Sequence, residues 1–245
     1  MSFIVDYNCF TPLGADLSST IGRLEEGVSG IQLFENDHLT YYAAKFEEPV
    51  ESYAGFSRLE NMLIRALEPV ISRNPLSGRS LLLLSTTKGN IRAIAGGKPA
   101  PEAFLSAMAG KVARYFDFQE APMVISNACV SGILAVAVAH RMIGAGTVDN
   151  VYVVAGDEVT EFVLSGFASF QALGSGPCRP YDKSRDGVTL GEAAAAVLVS
   201  GTPGPFRVAG DGAINDANHI SGLPAPGKDC TGVFSGPSKK RTWMG

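Results

Sequence analysis

Three short runs of the sequence are almost wholly apolar and lack polar alternation: residues 81–86, 151–155 and 193–199. A strand that is apolar on both faces must lie between covering layers, so such runs are typical of sheets buried under helices. Segments with helical signals separate these runs along the chain. Strands that alternate with helices favour an α/β fold, and we expect a mostly parallel sheet layered with helices on both sides.

Two helix starts are predicted in the first part of the chain, one of them from its capping residues. Ser57 and Glu60 form a capping-box pattern, in which the serine accepts from the third helical amide and the glutamate reaches back. This pattern predicts a helix from Ser57 to about residue 72. A second helix is predicted from about Asp16, and Gly27 is expected to end it.

The length and charge of the chain limit its class. Its 245 residues fit one large α/β domain or two small ones. We expect a domain over residues 1–220 and a truncated or frayed C-terminal segment over residues 221–245, where Gly and Pro dominate. The net charge of −4 gives no sign of a nucleic-acid surface. The longest apolar run, near residues 133–143, is too short to span a bilayer, so no membrane anchor is expected.

The four cysteines stand far apart, and no pair has the spacing of metal ligands. A chain of this size does not need disulfides for stability, and residues 1–6 lack the basic start of a signal peptide. We therefore expect a cytoplasmic protein. No glycine-rich phosphate-binding motif is present, so the sequence predicts neither a metal nor a cofactor. The cysteines are Cys9, Cys129, Cys178 and Cys230.

Cys129 lies between two apolar segments of different length. Residues 123–125 predict a buried strand, and residues 133–143 predict a helix that is apolar on nearly every face. The cysteine then lies at the helix start, where unpaired amides and the positive end of the helix dipole favour a thiolate. Such a thiolate is a nucleophile, which makes Cys129 the candidate catalytic residue. The alternative is that the thiol only packs, because free cysteine is often buried.

No histidine is placed by its spacing to serve as a base for Cys129. His140 lies eleven residues further on, about 16 Å along the predicted helix, and is expected to be a packed histidine with a hydrogen-bond partner. His38 and His219 lie in loop regions. Either is a candidate neighbour of Cys129, or else a hydrogen-bonding loop residue.

Two charged segments admit a functional and a structural interpretation. Asp157 and Glu158 follow a predicted strand and could form a metal site or an acid–base pair, but we expect them to cap the next helix. A loop further on could bind an anion, but a self-paired loop is favoured. Its charged residues are Arg179, Asp182, Arg185 and Asp186.

Several of these segments, in this order, resemble one family. Residues 127–132, Asn-Ala-Cys-Val-Ser-Gly, resemble the active-site cysteine motif of β-ketoacyl-acyl-carrier-protein synthases. The resemblance extends to about residue 228. Four further segments are similar to the same family in the same order: residues 11–14, 166–173, 179–192 and 215–219.

The resemblance implies a thiolase-like fold, of which this chain would be one half, and a 3-oxoacyl-[acyl-carrier-protein] synthase activity. In that family the cysteine takes an acyl chain from a carrier protein as a thioester. A malonyl-carrier thioester then loses CO₂, and the resulting carbanion attacks the acyl carbonyl. By this match Cys129 is the acyl-accepting nucleophile, and its backbone N–H is one oxyanion donor. Acyl carrier protein and an acyl thioester are the implied partners, in fatty-acid or polyketide synthesis.

The sequence departs from the family in length. Members are close to twice as long, and the two histidines of decarboxylation lie in their second half, so this chain has no counterpart of them. We expect an incomplete acyltransferase; the alternatives are a non-catalytic partner subunit or acyl-binding relic and, more weakly, a cysteine hydrolase of another fold. Half of a duplicated fold would leave the helix at residues 133–143 uncovered, which predicts a homodimer or a complex with another ketosynthase chain.

Overall fold

The computed structural model describes residues 1–47, 50, 53–94 and 100–213. The chain divides into one compact unit, Met1–Val208, and a second unit, Ala209–Gly245. The part of the second unit that is described, residues 209–213, contains no helix or strand. The boundary predicted at residue 220 lies outside the described residues, as do His219 and Cys230, so the domain division stays a prediction.

Strands and helices alternate through most of the first unit. The helices are α1 (Leu17–Glu25), α2 (Arg58–Arg73), α3 (Leu105–Tyr115), α4 (Ser131–Gly144) and α5 (Glu161–Ser169), with 3₁₀ turns at Ile91–Ile94 and Pro101–Ala103. The strands are β1 (Ser2–Phe10), β2 (Ile31–Glu35), β3 (Thr40–Ala44), β4 (Ser80–Ser85), β5 (Met123–Ile125), β6 (Asn150–Asp157), β7 (Leu190–Gly191), β8 (Ala193–Ser200) and β9 (Phe206–Val208).

The main sheet has six strands in the order β5-β4-β6-β8-β1-β9, and β2, β3 and β7 form a separate small sheet. In the main sheet β4 runs parallel to β5 and β6, whereas β8 is antiparallel to β6 and β1, and β9 is antiparallel to β1. The α/β class is therefore confirmed, but the sheet is mixed where a mostly parallel one was expected. The predicted burial of residues 193–199 on both faces is only partly confirmed. Ala193 and Ala195 are exposed, whereas Leu198 and Val199, in the second half of β8, are buried.

Helices cover both faces of the sheet, as expected. Leu82 and Leu84 of β4 lie in the core cluster formed with α2 and α3, while Leu81 and Leu83 lie in the cluster formed with α4. Successive side chains of a strand point to opposite faces, so the four leucines divide between two helical layers. β4 and β6 therefore lie in the interior of the fold, between the two helical layers.

The capping predictions are confirmed. Ser57 Oγ accepts from the Glu60 N–H at 3.2 Å, and Glu60 Oε2 accepts from the Ser57 N–H at 2.7 Å. Asp16 caps α1 through the Ser19 N–H, and Gly27, with a φ of 74°, follows its end. Among the described residues, none of the helices has both the length and the apolar character required to cross a bilayer.

Candidate active site

Cys129 lies in a tight turn between the end of β5 and the start of α4. It is two residues before Ser131, the first residue of the helix, and it is exposed. The predicted position at a helix start is confirmed. The alternative that this thiol merely packs in the core is wrong, because Cys129 is exposed.

The backbone of this turn is held in an unusual conformation. Ala128 has a φ of 46°, in the left-handed region that costs an L residue about 1 kcal/mol or more. Ser131 Oγ accepts from the Asn127 N–H at 2.8 Å and donates to the Ala128 carbonyl at 2.5 Å. The Ser131 N–H also donates to the Ala128 carbonyl, at 3.2 Å. These bonds close the turn and leave Cys129 at its outer side.

The start of α4 presents free amide donors beside the thiol. Within the described part of the chain, no protein acceptor bonds the backbone N–H groups of Cys129, Gly132 and Ile133. Such amides carry the positive end of the helix dipole. They are suited to stabilise a thiolate, or the oxyanion that forms when a thiolate attacks a carbonyl.

Small residues bring the start of α4 close to the sheet. A Cβ atom on Gly132 would lie 3.3 Å from the Cβ of Ala155 in β6. Further along the helix, Ala135 and Ala139 are fully buried against β4 and β6. This close packing places the cysteine turn beside the carboxyl ends of the central parallel strands.

Apolar side chains flank the thiol on the same helical turn. Val130 is 53% exposed and Ile133 is 80% exposed. These two side chains make the surface beside Cys129 apolar and uncovered in the described structure.

A carboxylate at the end of β6 anchors the loop that follows β4. Asp157 Oδ1 accepts from the hydroxyl groups of Thr86 and Thr87, each at 2.8 Å, and from the Thr87 N–H at 2.9 Å. The loops that follow two neighbouring parallel strands are thus tied together at the edge of the sheet that also carries Cys129.

Next to it lies a buried group of ion pairs. Glu192 is only 1% exposed; it accepts from Arg58 Nη2 at 2.5 Å and from the N–H groups of Phe46 and Val159. Glu158 accepts from Arg92 Nε at 2.8 Å. The group joins the start of α2 and the 3₁₀ turn after β4 to the end of β6 and the start of β8.

The expectation that Asp157 and Glu158 cap the next helix is wrong. Thr160 caps α5 through the Val163 N–H. Both acidic residues lie too far before the helix to cap it, and they bind donors after β4 and at the start of α2 instead. The roles of Arg58 and Glu192 were missed as well. Glu192 is the last residue of the segment 179–192 that resembles the family, and this was its one sequence signal; Arg58 had none.

Among the described residues, no histidine bonds the thiol of Cys129. His140 Nδ1 lies 2.7 Å from Ser2 Oγ, so the prediction of a packed histidine with a partner is confirmed. His38 is exposed at the turn between β2 and β3, where it lines an open groove of about 490 Å³ against α5. His219 lies outside the described residues. The structure therefore gives the cysteine-hydrolase alternative no support from His38 or His140.

The charged loop before β7 pairs with itself, as predicted. Arg179 Nη2 donates to the Ser184 carbonyl at 2.6 Å and lies 3.8 Å from Asp186. Arg185 donates to the Asp182 carbonyl at 2.9 Å. Within the described ranges, no group of three or more His, Cys, Asp or Glu side chains is arranged to hold a metal ion.

The mixed sheet between helical layers is an α/β fold, and its likeness to solved ketosynthases identifies it as thiolase-like. A ketosynthase from Xenorhabdus doucetiae, solved in complex with its chain length factor, superposes with a TM-score of 0.73 at 19% identity, over 83% of this chain and 59% of that one. A β-ketoacyl synthase from Burkholderia phymatum gives a TM-score of 0.69 at 21% identity, over 81% of this chain and 58% of that one.

The family model for the β-ketoacyl synthase N-terminal domain matches residues 78–202, just over half of the chain. The chain belongs to this family. It is 34% identical over 107 residues to 3-oxoacyl-[acyl-carrier-protein] synthase 2 of Coxiella burnetii, over 40% of this chain and 26% of that protein. It is 32% identical over 151 residues to nodulation protein E of Rhizobium leguminosarum, and this match covers 58% of this chain and 36% of that protein. The aligned part therefore spans about a third or less of these relatives.

Proposed function

We propose that this chain carries the acyl-accepting cysteine of a decarboxylative condensing enzyme. The observation that supports this most is the placement of Cys129, which is exposed on a closed turn with unbonded amides beside it. This arrangement combines a nucleophile with oxyanion donors, the two elements that acyl transfer to a thiol requires. The names of the curated relatives are consistent with the same chemistry.

In the first step the Cys129 thiolate attacks the carbonyl carbon of an acyl thioester carried by an acyl carrier protein. The backbone N–H of Cys129 donates to the oxyanion of the tetrahedral intermediate. The carbon–sulfur bond to the carrier thiol then breaks, the carrier leaves as its thiolate and is protonated, and the acyl group remains on Cys129. The exposed Val130 and Ile133 offer an apolar surface to a fatty or polyketide chain.

In the second step a malonyl-carrier thioester loses CO₂, and its carbanion attacks the acyl carbonyl on Cys129. A carbon–carbon bond forms, the thioester bond breaks, and the Cys129 thiolate is released. In the family, two histidines assist the decarboxylation, and residues 1–245 have no counterpart of either. We propose that another polypeptide segment completes the site for this step.

The first step is tested by incubating the protein with an acyl-carrier thioester and measuring its intact mass. We expect a single acyl adduct, which peptide mapping places on Cys129 and which Cys129→Ser abolishes. Cys178→Ser is the matched control, because Cys178 lies outside the turn and its loss should leave the adduct unchanged. Absence of the adduct, under conditions that acylate a full-length family member, would overturn the proposal.

A non-catalytic partner subunit is the second candidate. It is favoured by one of the structural neighbours, a ketosynthase in complex with a chain length factor. The uncovered apolar turn around Ile133 supports association of this chain, either with a second copy of itself or with another ketosynthase chain. The partner role would be favoured by a stable complex that catalyses the condensation at the same rate when this chain carries Cys129→Ser.

We further propose that the protein acts in a reducing compartment such as the cytoplasm. All three cysteines that the structure describes are free, which supports this location.

A further inference from the structure

We propose that Ser131 is a positioning residue, whose hydroxyl holds the turn that presents Cys129. The test of this inference by acyl transfer rests on the proposed function. The test by alkylation of the Cys129 thiol does not. The inference arises from the place of this hydroxyl, which lies inside the turn and bonds residues on the N-terminal side of the cysteine.

The hydrogen bonds of the Ser131 hydroxyl lie within the turn. The side chain belongs to a residue that is 5% exposed, and its oxygen accepts from the Asn127 N–H and donates to the Ala128 carbonyl. The two partners precede Cys129 directly. A hydroxyl is the smallest side-chain group that can both accept and donate at one atom, so alanine at this position removes both bonds together.

The two hydrogen bonds of Ser131 hold Ala128 in a backbone conformation that is unfavourable for an L residue. With a φ of 46°, Ala128 is held where its Cβ crowds the following carbonyl. Without the Ser131 hydroxyl, the Ala128 carbonyl keeps only the longer bond from the Ser131 N–H. The turn then relaxes toward negative φ, and the thiol moves away from the free amides at the start of α4.

The test measures the rate at which iodoacetamide alkylates Cys129 in the full chain, together with acyl transfer from an acyl-carrier thioester. We expect Ser131→Ala to slow both about tenfold, the effect of losing roughly one to two hydrogen bonds. Ser131→Thr keeps the hydroxyl and should stay within about threefold of the wild type. Ser169→Ala is the matched control, since its hydroxyl bonds only the Gly166 carbonyl within α5.

The decisive variant is Ala128→Gly in the Ser131→Ala background. Glycine adopts positive φ without a Cβ penalty, so this second change should restore most of the lost rate. A merely structural role for Ser131 in α4 predicts no such recovery. Equal rates for wild type and Ser131→Ala, or no recovery in the double variant, would overturn the inference.

The two proposals fail in different ways. If alkylation follows the predicted order while no variant accepts an acyl group, the positioning role stands and the proposed function fails. If wild type and Ser131→Ala accept the acyl group equally fast, the proposed function stands and the positioning role fails.

Discussion

Gly132 in the first turn of α4 lies so close to Ala155 of β6 that a Cβ atom on the glycine would be 3.3 Å from the Cβ of the alanine. This contact decides how near the start of the helix approaches the sheet. Because Cys129 precedes the helix by two residues, the same contact decides where the thiol lies relative to the ends of the parallel strands.

Replacing Gly132 by valine should push the start of α4 away from β6. We expect a loss of about 1–3 kcal/mol in the free energy of unfolding, the usual cost of overpacking, and slower alkylation of Cys129. Gly144→Val is the matched control, because a Cβ there meets nothing within 4 Å. Urea denaturation and alkylation rates measure both effects. Similar losses at the two glycines would contradict this account of the contact.

Removing the buried carboxylate of Glu192 should destabilise the fold strongly. Glu192→Gln leaves Arg58, whose side chain is only partly exposed, without its main counter-charge, and we expect a loss of about 3 kcal/mol in the free energy of unfolding. The pair Arg79–Asp149 is the control, since both side chains are about half exposed and Asp149→Asn should cost under about 1 kcal/mol. Equal costs in chemical denaturation would show that burial does not set the strength of these pairs.

Exposed Ile133 should drive association of the chain. We expect light scattering to show a dimer or larger assembly at micromolar concentration, and Ile133→Lys to shift it toward the monomer without lowering the melting temperature. Leu24→Lys, on the outer face of α1, removes a comparably exposed leucine and should leave the assembly intact. A wild-type chain that is already monomeric would refute the prediction.

The ion pair between Asp6 and Arg73 should make stability depend on acidic pH. Partial burial acts to raise the pKa of Asp6, but hydrogen bonds from Arg73 and from the Tyr7 N–H outweigh it and hold the pKa below 3.8. A lowered pKa in the folded state adds stability above pH 3.8 that is lost as the pH falls through the folded value. Asp6→Asn should therefore cost under about 1 kcal/mol at pH 6, and this cost should shrink as the pH is lowered from 6 toward 2. A difference in urea midpoint that stays constant between these values would contradict the prediction.

The local features of the fold were predictable from the sequence. The capping box at Ser57, the helix start near Asp16, the strand at Met123–Ile125 and the position of Cys129 at a helix start all depend on residues near each other in the chain. The prediction that this strand is buried is wrong, because β5 lies at the edge of the sheet, where Met123 is 40% exposed. Family membership was also predictable, because several motifs occur in a fixed order.

Contacts between distant segments were not predictable. Asp157 and Glu158 were assigned to a helix cap, yet they bind Thr86, Thr87 and Arg92, about 70 residues away in the chain. The direction of β8 was also missed, because an unbroken apolar run is the same whether its neighbours run parallel or antiparallel. In both cases the contacting residues belong to another helix, strand or loop, and the local sequence does not determine which one.

The sequence by itself determined where two helices start and which cysteine leads into the central helix, because capping and turn geometry act over a few residues. Only the tertiary structure decided how far each apolar run is buried, that β4 and β6 are joined at their ends by hydrogen bonds and by the ion pair of Arg92 with the buried Glu158, and that Gly132 brings the cysteine turn beside them. These contacts depend on close packing between segments far apart in the chain, and packing is decided by the whole folded molecule.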